Sequence, residues 1–299
     1  MSIHCDIPPI LDGRVAAQSL QDHLYSLHQW YQTTFGHPVQ LGVLLVGNHP
    51  ASRLYIQRKK RIAENLGLVF HCWSFVQETP PCDVLAAWRC HLEGVHGAIA
   101  QLPIYPPHDA RQYIQAIPPT KDVDGLNPQS HGLFTACTPL GCWYLLQHYG
   151  ISVRKKRCVV VGRSHLVGRP LAQLLLDHDA TVSIGHSFTP DLPSLTQSAD
   201  ILFVATGMHH LIQPSHVHPN MIVVDIGIHR TENGVEGDVS PSVYPVVRAY
   251  SPVPGGVGPM TVISLMWNTL KSAFAQQGIT LNDADCGKEW LKNHPIKAS

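Results

Sequence analysis

Along the first half of the chain, short apolar runs alternate with stretches of helical periodicity. LGVLLVG (41–47), VFHCWSF (69–75) and AIAQLP (98–103) read as strands, and the stretches near 50–66, 82–94 and 108–116 read as helices. Such alternation implies a parallel sheet, because parallel strands need a crossover and a helix is the usual one. The segment 118–138 (PPTKDVDGLNPQSHGLFTACT) is dense in turn formers and interrupts the pattern. Beyond it, PLGCWYLLQHYG reads as a helix opened by Pro139 and stopped by Gly150, and a domain boundary is expected along it.

A second series follows: RCVVVG (157–162), VGRPLAQLLLDH, TVSIGH (181–186), ILFVATG (201–207) and MIVVDIGI (221–228). The runs at 158, 201 and 222 are nearly continuous β-branched stretches, the pattern of central parallel strands covered on both faces. Past the breaker SPVPGGVGPM, TVISLMWNTLKSAFAQQ predicts a long amphipathic helix returning to the first domain, with a polar tail behind it. The expected class is α/β with two domains: residues 1–146 plus 262–299 form the first, completed by the C-terminal helix, and 147–261 form a doubly wound second.

Composition narrows the partners. A length of 299 residues leaves room for two independent cores. Hydrophobic residues make up 44%, charged residues 14%, and 21 basic side chains balance 21 acidic ones, so no electrostatic footprint favours nucleic acid or an anionic membrane. A small molecule is the expected partner. No apolar run is long enough to span a bilayer, and the opening MSIHCDIPPI lacks the regions of a signal peptide, so the cytoplasm is the expected location. The eight cysteines (5, 72, 82, 90, 137, 142, 158 and 286) form no CxxC pair and read as reduced thiols. Among 20 histidines, His209, His210, His216 and His218 cluster, but neither HExxH nor finger spacing accompanies them. They read as a solvated loop, and no metal is expected.

Candidate chemistry gathers at a few places. In VVVGRSHLVGRP a buried strand runs into Gly162, Ser164 and Gly168 before a helix, as where a backbone turns tightly against a pyrophosphate and a helix N-terminus offers it free N–H groups. Serine stands at the second glycine position of GxGxxG, so the motif alone leaves a plain strand-to-helix turn open. Arg163 lies inside that loop, and His186, Ser187 and Thr189 follow the next strand without the acid that suits a free ribose 2′-hydroxyl. Arginine with hydroxyls suits the 2′-phosphate of NADP instead.

Tyr55 and Lys59, four apart, share one helix face. Lys60 and Arg61 follow, so spacing leaves a solvated charge run open beside a catalytic lysine. The pair lies far upstream of the glycine loop, unlike the Tyr-x-x-x-Lys of short-chain dehydrogenases. Gln101 ends an apolar strand at the sheet's carboxyl edge, the usual ligand crevice, and Asp122 and Asp124 lie in the loop KDVDG. PVPGGVGPMT (252–261) places three glycines and three prolines at a helix start, a backbone specified more closely than a linker needs.

Assembled, the blocks ILDGR, VGNHPASRLYIQRKK, AIAQLP, KDVDGLNP, CTPLG, VVVGRSHLVGRP, HSFT, VDIGI, GDV and PVPGGVGPMT closely resemble the bifunctional methylenetetrahydrofolate dehydrogenase/cyclohydrolase family over nearly the whole chain. The resemblance implies a folate-binding domain built from both chain ends, a Rossmann-type NADP-binding domain between them, a cleft where pterin meets nicotinamide, and a homodimer. By position it makes Lys59 the catalytic lysine, packs Tyr55 over the folate ring, sets Gln101 against the lysine and bonds Asp124 to the pterin edge. It further implies that Pro254, Gly255 and Gly256 contact substrate, and that Gly162, Arg163, Ser164, Gly168, His186, Ser187, Thr189 and Ile228 contact the cofactor.

Three positions depart from the family pattern: Ala136 replaces the proline before CTP, Leu140 replaces the basic residue after it, and Phe188 replaces the Lys or Arg after the HS pair. Two other functions compete: an oxidoreductase of similar architecture acting on an alcohol or amino acid, and a non-catalytic NADP-binding protein with a cleft deformed around Ala136 and Leu140.

Overall fold

A computed structural model describes residues 9–130, 132–232 and 234–286. Residues 1–8 of the opening segment and 287–299 of the polar tail lie outside them. Along the chain run α1 (Gly13–Phe35), β1 (Gln40–Val46), α2 (Pro50–Asn65), β2 (Val69–Phe75), α3 (Pro81–Leu92), β3 (Gly97–Ala100), α4 (Ala110–Ala116) and α5 (Cys137–His148). They are followed by β4 (Arg157–Val161), α6 (Gly168–Asp177), β5 (Thr181–Gly185), α7 (Leu192–Gln197), β6 (Ile201–Val204) and β7 (Ile222–Asp225). The hairpin β8 (His229–Thr231) and β9 (Gly234–Glu236), then β10 (Ala249–Tyr250) and α8 (Val257–Gln276), complete the order.

The chain divides into two compact units. One combines Gln18–Cys137 with the chain from Val262 onward, and the other combines the chain up to Ala17 with Thr138–Thr261. The first carries a parallel sheet ordered β2-β1-β3. β1 is central, and six of its seven residues are buried. Trp88 of α3 and Tyr113 of α4 are fully buried in the core of this unit, and the Trp88 indole donates to the Tyr113 carbonyl at 3.1 Å, as a buried ring nitrogen must find an acceptor.

The second unit carries the parallel sheet β10-β7-β6-β4-β5. The three β-branched runs occupy its interior as β4, β6 and β7, and every residue of β6 and β7 is buried. β5 lies at an edge with most of its residues at least partly exposed. The mixed α/β class with parallel sheets is therefore as the alternation implies.

Two elements differ from the sequence reading. The 23-residue α1 has no counterpart in it, although Leu24, Leu27 and Tyr31 form a buried stripe at helical spacing. The fully buried His28 stands on the same face in place of an apolar residue, which mutes the pattern in the sequence. α8 begins at Val257, inside the expected breaker, so Gly258 and Pro259 form its first turn. Proline is tolerated there because first-turn N–H groups have no partner inside the helix.

Candidate active site

Lys59 lies on α2, the helix following the central strand β1 of the three-stranded sheet. It does not share the solvated character of its neighbours. Its side chain is buried, whereas Lys60 is exposed and pairs with Glu64 one turn on. Lys59 Nζ donates to Gln101 Oε1 at 2.9 Å. Gln101 directly follows β3, where its backbone N–H extends the ladder to the Leu44 carbonyl at 2.9 Å. Its amide nitrogen donates to the Leu102 carbonyl at 2.7 Å, which fixes the amide so that oxygen, not nitrogen, faces the ammonium. The ammonium keeps further N–H donors beyond the one given to Gln101.

Tyr55, half-buried, sits one turn before Lys59. Asp124 is also half-buried, in the loop between α4 and α5. Cys137 locates it relative to the lysine. Burial drives the Cys137 thiol well above its ordinary value; the Asp124 charge and a hydrogen bond to Asp124 add to this, while the Lys59 charge opposes it. Lys59, Asp124 and Cys137 thus lie within electrostatic reach of one another, and the thiol is held protonated. The loop is tied to α8, since Asn268 Nδ2 donates to the carbonyls of Val123 and Thr135, each at 2.9 Å. Sequence reasoning named neither Cys137 nor Asn268 as part of this cluster. CTPLG marked the first as a block, and nothing local marks the second.

Asp122, buried beside this loop, accepts from the Asn127 backbone N–H at 2.7 Å, yet burial raises its carboxyl to about 6. Because its folded value exceeds the unfolded value of 3.8, its stabilising contribution is complete below that pH and is lost as pH rises through about 6. Asp122→Asn is expected to remove a negative slope of at most about 1.4 kcal/mol per pH unit from unfolding free energy over that window. Urea titrations of both proteins between pH 4 and 7 read the difference, and parallel profiles would reject it.

In the five-stranded unit, β4 and β5 are neighbours in register, Val161 beside Gly185, so the loops that follow them leave the same carboxyl edge side by side. Gly162 has φ 118°, and a Cβ there would stand 2.1 Å from the Ala205 carbonyl oxygen. A Cβ on Gly168 would stand 2.1 Å from the Gly162 carbonyl oxygen. Ser164 Oγ accepts from the N–H groups of Val167 at 3.1 Å and Gly168 at 3.4 Å, closing the turn onto the start of α6. The serine that departs from GxGxxG therefore ties the turn together by accepting two backbone N–H groups, while the two steric glycines stay.

Across from this turn, the His186 N–H donates to Thr189 Oγ1 at 2.9 Å, and Ser187 is exposed. The Arg163 guanidinium lies over the Phe188 ring, 5.6 Å from its centroid. That contact leaves the N–H edges of the guanidinium available to a phosphate. Ile228 is exposed after β7. Pro254, Gly255 and Gly256 form the turn before α8, held by Gly256 N–H to Pro252 carbonyl at 2.7 Å and Gly13 N–H to Gly255 carbonyl at 2.8 Å.

Under the loops after β6 and β7 lies a carboxylate pair that sequence reasoning did not name. Asp225 accepts from the N–H groups of Gly227, Asp238 and Val239. Asp238 Oδ2 accepts from Thr206 N–H, Thr206 Oγ1 and Gly207 N–H at 2.6, 2.8 and 3.0 Å. Burial raises Asp225 to about 7 against the pull of its backbone donors. The two aspartates lie in separate family blocks, Asp225 in VDIGI and Asp238 in GDV, and nothing local pairs them.

A parallel α/β unit with a glycine-lined strand-to-helix turn, in one chain with a second that buries a lysine at a sheet's carboxyl edge, defines the class as a dinucleotide-dependent enzyme. Residues 11–124 match the model of the tetrahydrofolate dehydrogenase/cyclohydrolase catalytic domain, and residues 136–277 that of its NAD(P)-binding domain. The chain belongs to the tetrahydrofolate dehydrogenase/cyclohydrolase family. The bifunctional protein FolD of Thermus thermophilus is 41% identical over 279 residues, covering 90% of this chain and 97% of the relative. The crystal structure of the bifunctional FolD of Campylobacter jejuni superposes with a TM-score of 0.85 at 36% identity, covering 89% of this chain and 99% of that one. A Trypanosoma brucei FolD complexed with NADP cofactor and inhibitor has a TM-score of 0.83 at 29% identity, covering 89% of this chain and 97% of that one. The family carries dehydrogenase and cyclohydrolase activities on tetrahydrofolate one-carbon units, as the sequence implied. No helix among the described residues is long and apolar enough to cross a membrane.

Proposed function

We propose that this protein oxidises 5,10-methylenetetrahydrofolate with NADP and hydrolyses the resulting 5,10-methenyltetrahydrofolate to 10-formyltetrahydrofolate, with Lys59 central. The observation that carries the reading is the Lys59 to Gln101 hydrogen bond, which holds a buried ammonium in one place with donors to spare. NADP supplies the hydride acceptor. For that step the chain has to position the methylene carbon, and Tyr55 and Asp124 are the residues proposed to seat the pterin, with Pro254, Gly255 and Gly256 as further substrate contacts.

In the hydrolytic step, water adds to the methenyl carbon and gives up one proton, leaving a neutral carbinol. The bond from that carbon to N5 then breaks as the hydroxyl gives up its remaining proton and becomes the formyl carbonyl; N5 takes one proton and the other is released. Lys59 directs the water and moves the proton, and Gln101 keeps the ammonium from swinging away.

Gly162 and Gly168 let strand, loop and helix close on one another, since a Cβ at either would stand 2.1 Å from a backbone carbonyl oxygen, and with Ser164 and Arg163 they are proposed to form the turn that the pyrophosphate approaches. His186, Ser187, Thr189 and Ile228 are proposed to complete its contacts. Arg163 is proposed to face the 2′-phosphate; the NADP complex of the T. brucei relative supports NADP as the dinucleotide. Arg163→Ala is expected to raise the KM for NADP by at least about tenfold with little change for NAD. Phe188→Arg is expected to lower it by up to about fivefold, the scale of one exposed charge. Steady-state assays with both dinucleotides read these changes, and equal effects on NADP and NAD would reject the assignment.

The reading as a whole is tested by following methylenetetrahydrofolate oxidation spectrophotometrically with NADP and NAD side by side. Methenyl formation followed by its decay supports it, and absence of both folate binding and oxidation would overturn it. Folate-binding residues are proposed to lie mainly in 1–146 with 262–299, and cofactor residues in 147–261. A homodimer in the cytoplasm belongs to the same reading, supported by the family resemblance, and sedimentation velocity tests the dimer.

A further inference from the structure

We propose that the five-stranded unit carries a binding site for a divalent transition metal that prefers imidazole, of the zinc class, formed by His209, His210 and Glu236. Each offers one ligand atom, and the three atoms lie within 4.8 Å of one another. Two imidazoles and one carboxylate form a recurrent zinc ligand set that leaves a fourth position to water. Zinc held at about 2.0–2.1 Å in a tetrahedron separates its donors by about 3.4 Å. His210 Nε2 stands 3.4 Å from Glu236 Oε2, and His209 Nε2 also faces that oxygen at close range.

The backbone is shaped for this arrangement. Adjacent residues ordinarily point apart, but His210 takes φ 53°, a left-handed conformation that costs a non-glycine residue energy. This conformation accompanies stacking of the two rings, their centroids 3.7 Å apart, with both Nε2 atoms toward one carboxylate oxygen. The carboxylate oxygen can accept from two neutral rings that carry their protons on Nε2, and the same three atoms, with both Nε2 deprotonated, converge on the position of a shared cation.

The ligands also have outer support, as ligands of a metal site generally do. Glu236 Oε1 accepts from Thr231 Oγ1 at 3.2 Å, which orients the carboxylate. His229, held to the fully buried Asp238 at 2.7 Å, packs its ring edge-on to His209. Asp238 in turn holds the N–H groups of Thr206 and Gly207, so the metal would clamp the loop after β6 to the hairpin β8–β9.

The sequence cluster of four histidines does not form the site. His216 Nδ1 accepts from the Gln213 N–H, and His218 spends its two ring nitrogens on the Ala199 carbonyl and the Asn220 N–H. Spacing failed because the third ligand lies 27 positions beyond His209.

The test is cobalt(II) titration of the full protein followed by visible absorption, then displacement by zinc. One equivalent of cobalt with the intense bands of low coordination is expected, and zinc should abolish the bands. Glu236→Gln and His210→Asn should each weaken binding by at least about 100-fold, while the double variant His216→Asn/His218→Asn should leave it unchanged. Thermal unfolding of the same variants without metal checks that they fold, and zinc should raise the midpoint only where the three ligands are intact. No stoichiometric cobalt binding, or binding that survives both Glu236→Gln and His210→Asn, would overturn the proposal.

Discussion

Lys59→Met is expected to lower methenyltetrahydrofolate hydrolysis by roughly 100- to 10,000-fold, the range that a positioned proton-transfer group supplies. Methionine keeps the length and most of the volume of lysine, so the helix face stays filled. What disappears is the amino group: Gln101 Oε1 loses its donor, and the attacking water loses the group that directs it and, as the neutral amine, takes its proton. Loss of that hydrogen bond costs about 1–3 kcal/mol of stability, within the margin of a normal domain, so the variant should fold. Oxidation depends more on holding two reactants together than on proton transfer and should fall less. The expected signature is therefore accumulation of the methenyl chromophore, followed directly in the spectrophotometer. Hydrolysis at the parent rate in folded Lys59→Met would remove Lys59 from the mechanism.

Gly162→Ala should be the most disruptive single-methyl change in the nucleotide loop. Its φ of 118° is costly for alanine, about 1–3 kcal/mol, and the new methyl would stand 2.1 Å from the Ala205 carbonyl oxygen. Relief requires β4 and β6, paired through Val161 and Val204, to part at their carboxyl ends. Overpacking of this kind adds about 1–3 kcal/mol. A total near 3 kcal/mol is expected as a lower urea midpoint, with weaker dinucleotide binding where the variant remains folded. A loss under about 0.5 kcal/mol would show that the turn is looser than its geometry implies.

The sequence made the architecture legible where burial is two-sided. Uninterrupted β-branched runs announced β4, β6 and β7, and these are the interior strands. α1 was hidden because the buried His28 interrupts its apolar stripe, and the helix is held by packing such as Trp30 stacked on Phe274 of α8, far along the chain. Around Lys59, spacing showed only a shared helix face with Tyr55, and family order supplied Gln101 and Asp124. Cys137, Asn268 and the Asp225–Asp238 pair could not be read locally, since each matters through partners brought near only by folding. Glu236 was missed for the same reason.

The two buried aspartates also bear on how this chain can vary. A methyl on Gly227 would stand 2.2 Å from Asp238 Oδ1, and one on Gly237 would stand 1.9 Å from Asp225 Oδ2. Each glycine is therefore locked to the aspartate of the opposite loop. None of the four can drift alone: a larger residue at either glycine collides with a carboxylate, and an apolar substitute for either aspartate strands backbone N–H groups. Functional variants recovered from a randomised library of this region should preserve or exchange these residues as linked sets, so the connection between the two loops is inherited as one unit.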